Sequence, residues 1–511
     1  MVYGAALEMR FGGNPIEGSN PSLSATLYPY TAGHALGSIS PALLPPGERA
    51  GMRLSLWVAG WGRREYNMPT VLTRSVTLLA AIALLFAAAA PVRAAVPDNQ
   101  QQLTTFDPSA NIEECAGTSV STNPITGKTL VAFIQPDAEV ASGGMLVAGI
   151  LDASGALASG LTEVSTTIAS ADPDGCQPPS LSAGPDGTWL VVWPFYAMGE
   201  NGIAGQVISS TGTLSGANFY VSDDNYENIE TVSAAWSATD GRHLVTWKAR
   251  VGTRESSFGE LNDQQVVGQF VSGTGSLIGS NFLVTNFADG VDNNQDLAFG
   301  NGIWIAVSSR NGETPYGQII TSAGLQGAAF ELSSDPQAYY GPGIAYNSAT
   351  NQFLASYWED SGERTKHLRL LSGSGTPLGS DIVYVANGAR PRIGAAGSSG
   401  YVMTWHESAK IWAQAFDTTL NVVGERFQVS TDGLSTFRPE LSCTDGGFVF
   451  TYWGRSGISS NIYSNLVAGD CGFALPATNR DGSVFATALV ILASLTAAAG
   501  VGLVTRGAKG A

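Results

Sequence analysis

Four histidines occur in the 511 residues, and only His243, His367 and His406 follow the first hundred. None sits in an HExxH or other metal-ligating spacing. GxSxG, P-loop and zinc-type cysteine patterns are missing, so nucleophilic, nucleotide and zinc chemistry have no support in the sequence. Carboxylates are placed more suggestively. SDDNYENIE (Ser222 to Glu230) and ADGVDNNQD (Ala288 to Asp296) bring several oxygen donors close together. Hard cations want such donors, which makes Asp223, Asp224, Asp289 and Asp292 the candidate ligands for Ca²⁺. Neither loop follows the EF-hand pattern, and solvated loop carboxylates are the plain alternative. No other cofactor is expected. A third chemistry is aromatic stacking: Tyr196, Tyr226, Tyr339, Tyr340 and Trp412 stand outside the regular tryptophan series and are the candidate ligand-binding residues. Arginine is scarce, and three guanidinium groups for one carboxylate cannot be assembled from the repeat positions.

The element that must position these residues is a repeat. PSLSAGPDGTWLVVW ends at Trp193, and copies end at Trp247, Trp358, Trp405 and Trp453. Two degenerate copies carry Phe133 and Val307 at the matching place. The six spacings between successive copies run 60, 54, 60, 51, 47 and 48 residues. The second half repeats too, with Gln206, Gln269, Gln318 and Gln414 equivalent, and Phe219, Phe282, Phe330 and Phe427 read as opening a last strand. Alternating and continuous apolar runs, rich in β-branched and aromatic residues, predict four antiparallel strands per unit. Units of this size are propeller blades, which hide their faces by packing radially. The fold class is therefore all-β, a seven-bladed β-propeller of four-stranded antiparallel blades over residues 95–470. A pair of β-sandwiches is the competing architecture, and it does not predict seven copies of one unit. Regular recurrence makes the tryptophans packing residues between blades. QQLTTF (Gln101 to Phe106) matches a fourth strand with no unit of its own, while the last unit lacks one. The N-terminal strand is expected to complete that last blade.

The ends read differently. Residues 1–67 lack sustained periodicity and are expected to be a disordered extension ahead of the true start at Met68. Residues 68–94 carry Arg74, the apolar run Val76 to Ala90 and small residues before a cleavage between Ala94 and Ala95, the form of a signal peptide. Val484 to Val504 is uncharged and long enough to cross a bilayer, so residues 484–504 are expected to be a transmembrane helix, with a basic cytoplasmic tail at 505–511. Between residues 95 and 471 the chain holds 15 basic and 37 acidic residues, a net charge of -22. Such acidity disfavours nucleic acid as a partner. All four cysteines follow the signal segment, pointing to an oxidising compartment. Cys115 and Cys176 precede the first strands of adjacent units and are the expected disulfide. Cys443 reads as a buried thiol or as the partner of Cys471.

Three resemblances add to this reading. The repeat resembles that of secreted bacterial propeller proteins, and covers nearly all of residues 100–466. PDGTW resembles in part the Asp-box of sialidases, although its turn lies between strands one and two. Residues 471–483, opening on Cys471-Gly472 and including LPATN, with the helix and basic end behind them, resemble a bacterial C-terminal sorting signal of the myxobacterial Cys-Gly type. Asn479 departs from the sortase motif. The resemblance implies a sorting protease as partner and export to the cell envelope or surface. A propeller fold alone does not name a function. The expected role is binding or adhesion to an extracellular glycan or protein, and whether it includes catalysis is left open. The alternatives are a glycan-acting hydrolase or lyase with its site over the ring axis, and a structural envelope protein.

Overall fold

The computed structural model describes residues 100–104, 117–136, 144–166, 178–197, 200–222, 227–256, 259–287, 290, 292–310, 314–333, 339–359, 364–384, 387–457 and 459–468, with four short strands before residue 68. The chain divides into two units, Met1–Val92 and Arg93–Ala511. In the first, β1 (Gly4–Phe11) pairs with β2 (Leu23–Tyr30) and β3 (Arg53–Leu56) with β4 (Arg64–Asn67), antiparallel hairpins where the sequence shows no sustained periodicity.

The second unit contains seven four-stranded antiparallel sheets. Blade one is β6 (Thr118–Thr122), β7 (Thr129–Pro136), β8 (Gly144–Leu151) and β9 (Thr162–Glu163). Blade two is β10 (Ser180–Ala183), β11 (Trp189–Ala197), β12 (Glu200–Ile208) and β13 (Leu214–Tyr220). Blade three is β14 (Glu227–Ser237), β15 (Arg242–Ser256), β16 (Gly259–Ser272) and β17 (Leu277–Leu283). Blade four is β18 (Asp292–Gly300), β19 (Ile303–Arg310), β20 (Thr314–Thr321) and β21 (Gly324–Glu331). Blade five is β22 (Tyr339–Asn347), β23 (Gln352–Glu359), β24 (Lys366–Ser372) and β25 (Ile382–Tyr384). Blade six is β26 (Ala389–Ala395), β27 (Tyr401–Glu407), β28 (Lys410–Phe416) and β29 (Val422–Gln428). Blade seven is β30 (Ser435–Thr444), β31 (Gly447–Ser456), β32 (Ser459–Ala468) and, from the other end of the chain, β5 (Gln101–Gln102). The first strands of successive blades touch one another, and β30 closes the ring on β6. This is a seven-bladed β-propeller.

Closure follows the expected latch. Gln102 pairs with Tyr463 and Gln101 with Ser464. Leu103 donates its N–H to the Ile462 carbonyl at 2.8 Å and buries its side chain against Trp453 and Phe133. Tyr452 donates its hydroxyl to Gln100 Oε1 at 2.6 Å. β5 takes the outermost place in blade seven, so that sheet is built from both ends of the propeller chain.

The repeat residues have structural work of their own. Trp193, Trp247, Trp405 and Trp453 are fully buried, each in an apolar cluster drawn from two neighbouring blades. Trp358 is half-buried. The Gly-Gln pair explains the third and fourth strands. The ladder between them slips by two residues at Gln206, Gln269, Gln318 and Gln414, where the fourth strand bulges outward. At each slip the glutamine amide donates to its neighbour's carbonyl and to a carbonyl across the bulge, as Gln269 does to Phe270 (2.9 Å) and Ile278 (3.1 Å). The buried amide thus satisfies backbone groups that the bulge orphans. A Cβ at Gly205 would lie 2.7 Å from the Phe219 ring, so glycine there makes room for the phenylalanine. The fourth strands consequently begin earlier than the sequence suggests: Phe219, Phe282, Phe330 and Phe427 fall near their ends, because the strand continues through the bulge.

Candidate functional site

First strands converge on the axis, and their opening residues form a cavity of about 280 Å³. Blade one supplies Thr118 and Ser119, blade two Ser180, blade three Ser233, blade four Gln295 and Asp296, blade six Arg390 and Arg392, and blade seven Arg438 and Glu440. The inner strands are stitched side to side by these same residues. Ser119 Oγ accepts the Leu181 N–H at 3.1 Å, and Ser180 Oγ accepts that of Ala234 at 3.1 Å. Ser233 donates to Asp296 Oδ1 at 3.3 Å, and Asp296 Oδ2 accepts the Ile344 N–H at 3.0 Å. Arg392 Nε donates to Glu440 Oε1 at 2.8 Å, with side-chain exposures of 21% and 27%. Arg392 Nη1 is buried without a hydrogen-bond partner.

Charge in the cavity is tightly coupled. Burial pushes the carboxyls of Asp296 and Glu440 up, and the nearby Arg392 only partly offsets it. Burial opposes the Arg392 charge, but Glu440 and Asp296 hold its pKa above the ordinary value. Burial and then Arg392 lower that of Arg390. His406 lies beside this group, held down to about 4 by burial and then by Arg390, Arg364, Lys366 and Arg438. Three guanidinium groups against two carboxylates leave the cavity cationic, inside a unit of strongly negative charge. Arginine forks of this kind suit carboxylate or sulfate oxygens.

The arginine trio corrects the sequence reading, which found no three guanidiniums to assemble. The signal lay in the repeat: two units open on Arg-Pro (Arg390-Pro391 and Arg438-Pro439) where sister units have Pro178-Pro179 or Gly341-Pro342. Side-by-side packing of consecutive blades brings their starts together, although they are 48 residues apart.

Strand alternation puts the unit starts, the ends of second strands and the beginnings of third strands at one end of the propeller. Tyr196, Asp292, Tyr339, Tyr340 and Trp412 all fall at that end. Tyr339 is nevertheless fully buried, edge-on to Tyr357 at 5.0 Å and His367 at 4.9 Å. It fills the core of blade five and cannot stack on a ligand. Tyr340 is half-buried and leans on Trp358 at 5.4 Å. Trp412 is half-buried with the Arg426 guanidinium 4.5 Å over its ring. The side chains of Tyr196 and Asp292 lie outside the described residues, as do Tyr226, Asp223, Asp224 and Asp289. Among the described residues no group of three or more His, Cys, Asp or Glu could hold a metal ion. Ala94, Ala95, Cys115, Cys176, Cys471 and Gly472 also lie outside them. Cys443 is disulfide-bonded, which excludes the buried-thiol reading; its partner lies outside the described residues. No helix among the described residues is long and apolar enough to cross a membrane, and residues 68–94 and 484–504 are not among them.

A second cluster is internal to blade five. His367 Nδ1 lies 3.2 Å from Asp381 Oδ2, and its Nε2 lies 3.8 Å from Glu359 Oε2. Tyr357 also donates to Asp381 Oδ2 at 3.2 Å. Burial, then Asp381, raises the Tyr357 hydroxyl above its ordinary range. With His367 5% exposed, this is a buried polar network that ties β23 to β24 and the approach to β25.

The fold and cavity define a propeller with an ion-lined axial pocket. No protein-family model and no curated protein matches the chain. Solved structures of similar architecture exist. The WD40 domain of Toxoplasma gondii coronin is 9% identical, with 76% of this chain and 89% of that one covered at a TM-score of 0.44. The polysaccharide lyase Uly1 is 8% identical, over 67% and 88%, at 0.43. A Trypanosoma rangeli sialidase in complex with the inhibitor DANA is 10% identical at 0.36, over 56% of this chain and 54% of the sialidase, so the match spans about half of that protein. Likenesses this distant carry no functional argument.

Proposed function

We propose that the protein is an exported propeller, anchored at the cell envelope by its C-terminal segment, that binds an extracellular glycan in the axial cavity. The observation that carries this reading is the cavity itself. Inner strands from most blades bring a dense set of hydroxyl, amide, guanidinium and carboxylate groups to one concave place, the usual form of a ligand site on a rigid scaffold. Export rests on the signal-like segment at 68–94 and the sorting-like tail, and the disulfide at Cys443 agrees with an oxidising compartment. The remaining expected disulfide, Cys115 to Cys176, and Ca²⁺ at the acidic loops belong to the same proposal.

A hydrolase or lyase is the second reading, favoured by one observation: Asp296 and Glu440 have raised carboxyl pKa values beside arginines, as a general acid requires. A glycan array on the full chain, with and without Ca²⁺, followed by mass spectrometry of the bound material, separates the two. Intact bound glycan supports the binding module, and shortened glycan supports the enzyme. No binding to any glycan refutes both and leaves a protein partner or a structural role.

A further inference from the structure

We infer that the ligand is an anionic polysaccharide, with one acidic group held by Arg390, Arg392 and Arg438 in the axial cavity and its neighbouring sugars running outward over blades five to seven. This rests on the glycan reading above and adds the charge class and the path.

The anion is called for by three features. Arg392 uses Nε on Glu440 and leaves Nη1 buried and unpartnered, so one edge of its fork awaits an acceptor. Arg390 and Arg438 have left-handed backbone, with φ of 56° and 51°. Both precede a proline, which normally drives the preceding residue to extended conformations. The same place holds Gly341 at φ 53° in blade five and Thr231 at φ 27° in blade three. Long charged side chains kept in left-handed backbone, twice, at one cavity mark a site where strain is retained for a purpose.

The path follows from where the charge lies. Residues 95–340, which carry blades one to four together with the latch segment, hold 6 basic and 26 acidic residues, while residues 341–470 hold 9 basic and 11 acidic. Arg364, Lys366, Arg390, Arg392, Lys410 and Arg426 of blades five and six fall at the cavity end. Arg364 lies 5.5 Å over the ring of Trp358, and Arg426 lies 4.5 Å over that of Trp412. Arg426 also meets Glu407 at 2.7 Å, and Lys410 meets Asp432 at 3.7 Å. The indoles hold these guanidinium groups over their rings, where they can donate to the acidic groups of the outer sugars. Blades one to four would repel the same chain.

The test is calorimetry on the full chain in mild detergent, with a galacturonate hexamer, galacturonate monomer, a sulfated galactose hexamer and the uncharged galactose hexamer. The acidic hexamers should bind at least about tenfold tighter than the neutral one, and the carboxylated and sulfated forms distinguish which acid is preferred. Arg390→Gly and Arg438→Gly should each weaken acidic ligands about tenfold or more, while thermal stability holds or rises because glycine fits the backbone. Arg426→Gln should weaken the hexamer and spare the monomer. Should a glycine variant fail to fold, the paired exchange Arg392→Met with Glu440→Gln carries the test, since it removes both members of that ion pair together. Equal binding of neutral and acidic hexamers, or unchanged binding by these cavity variants, overturns the inference and leaves the glycan reading standing. Failure of every hexamer to bind, with a glycan array equally blank, removes both.

Discussion

Acid should unfold this propeller partly through one interblade histidine. His243 is 1% exposed, its Nδ1 lies 2.9 Å from Ser182 Oγ of the preceding blade, and its ring packs 4.6 Å from Trp236. A Cβ at Gly184 would lie 3.2 Å from Nε2, so the ring has no room for a water shell. Burial therefore drives its pKa from 6.5 down to about 3. The unfolded chain binds a proton below its ordinary pKa and the folded chain does not, so stability falls as pH drops from 6.5 toward 3. Each unit is worth about 1.4 kcal/mol, giving a loss of roughly 3 kcal/mol by about pH 4.5 and up to ~5 below the folded pKa. Urea unfolding at a series of pH values, on wild type and His243→Asn, isolates this residue from the carboxylates and from His406. The asparagine amide keeps a partner for Ser182 and cannot charge. The variant should start less stable at neutral pH, and the two curves should converge on acidification. Parallel curves would refute the argument that desolvation sets this pKa.

Three further outcomes are expected. Deleting residues 95–104 should lower the thermal midpoint markedly, and Leu103→Ala alone should cost about 2–4 kcal/mol, because both open the latch on blade seven; an unchanged midpoint would show that the ring closes without it. Gln269→Ala should destabilise by roughly 1–3 kcal/mol in denaturant unfolding, by leaving bulge carbonyls buried and unmatched, whereas Gln→Ala at an exposed site should not. Lys366 is fully buried, and burial lowers its pKa from 10.5 to about 7, with Glu407 opposing and Arg426 assisting. Above that value the unfolded chain holds more protons, so wild type should gain stability relative to Lys366→Met from pH 7 to about 10, and a flat difference would count against a neutral folded lysine.

The repeat made the fold legible, because seven copies of one apolar pattern admit few arrangements that bury every face. Even the latch could be read, from a surplus strand at one end and a missing one at the other. Strand four was misplaced, since a glutamine-filled bulge looks in sequence like a turn. The site was harder for a physical reason. Its residues come from unit starts that are distant along the chain and adjacent only once the blades pack around the axis, so no local spacing announces Arg390, Arg392 and Arg438. Tyr339 shows the converse: an aromatic outside the series looked available, and the blade-five core absorbs it.

The count of strands in blade seven also sets a direction. β30 starts at the cavity end, β31 returns there, and β32 runs away from it, so Ala468 leaves from the opposite face. β5 is antiparallel to β32, so the chain also enters from that opposite face. Both termini of the propeller therefore emerge on one side. Anything joined to either end of the propeller attaches on the face opposite the cationic mouth, which stays clear of it.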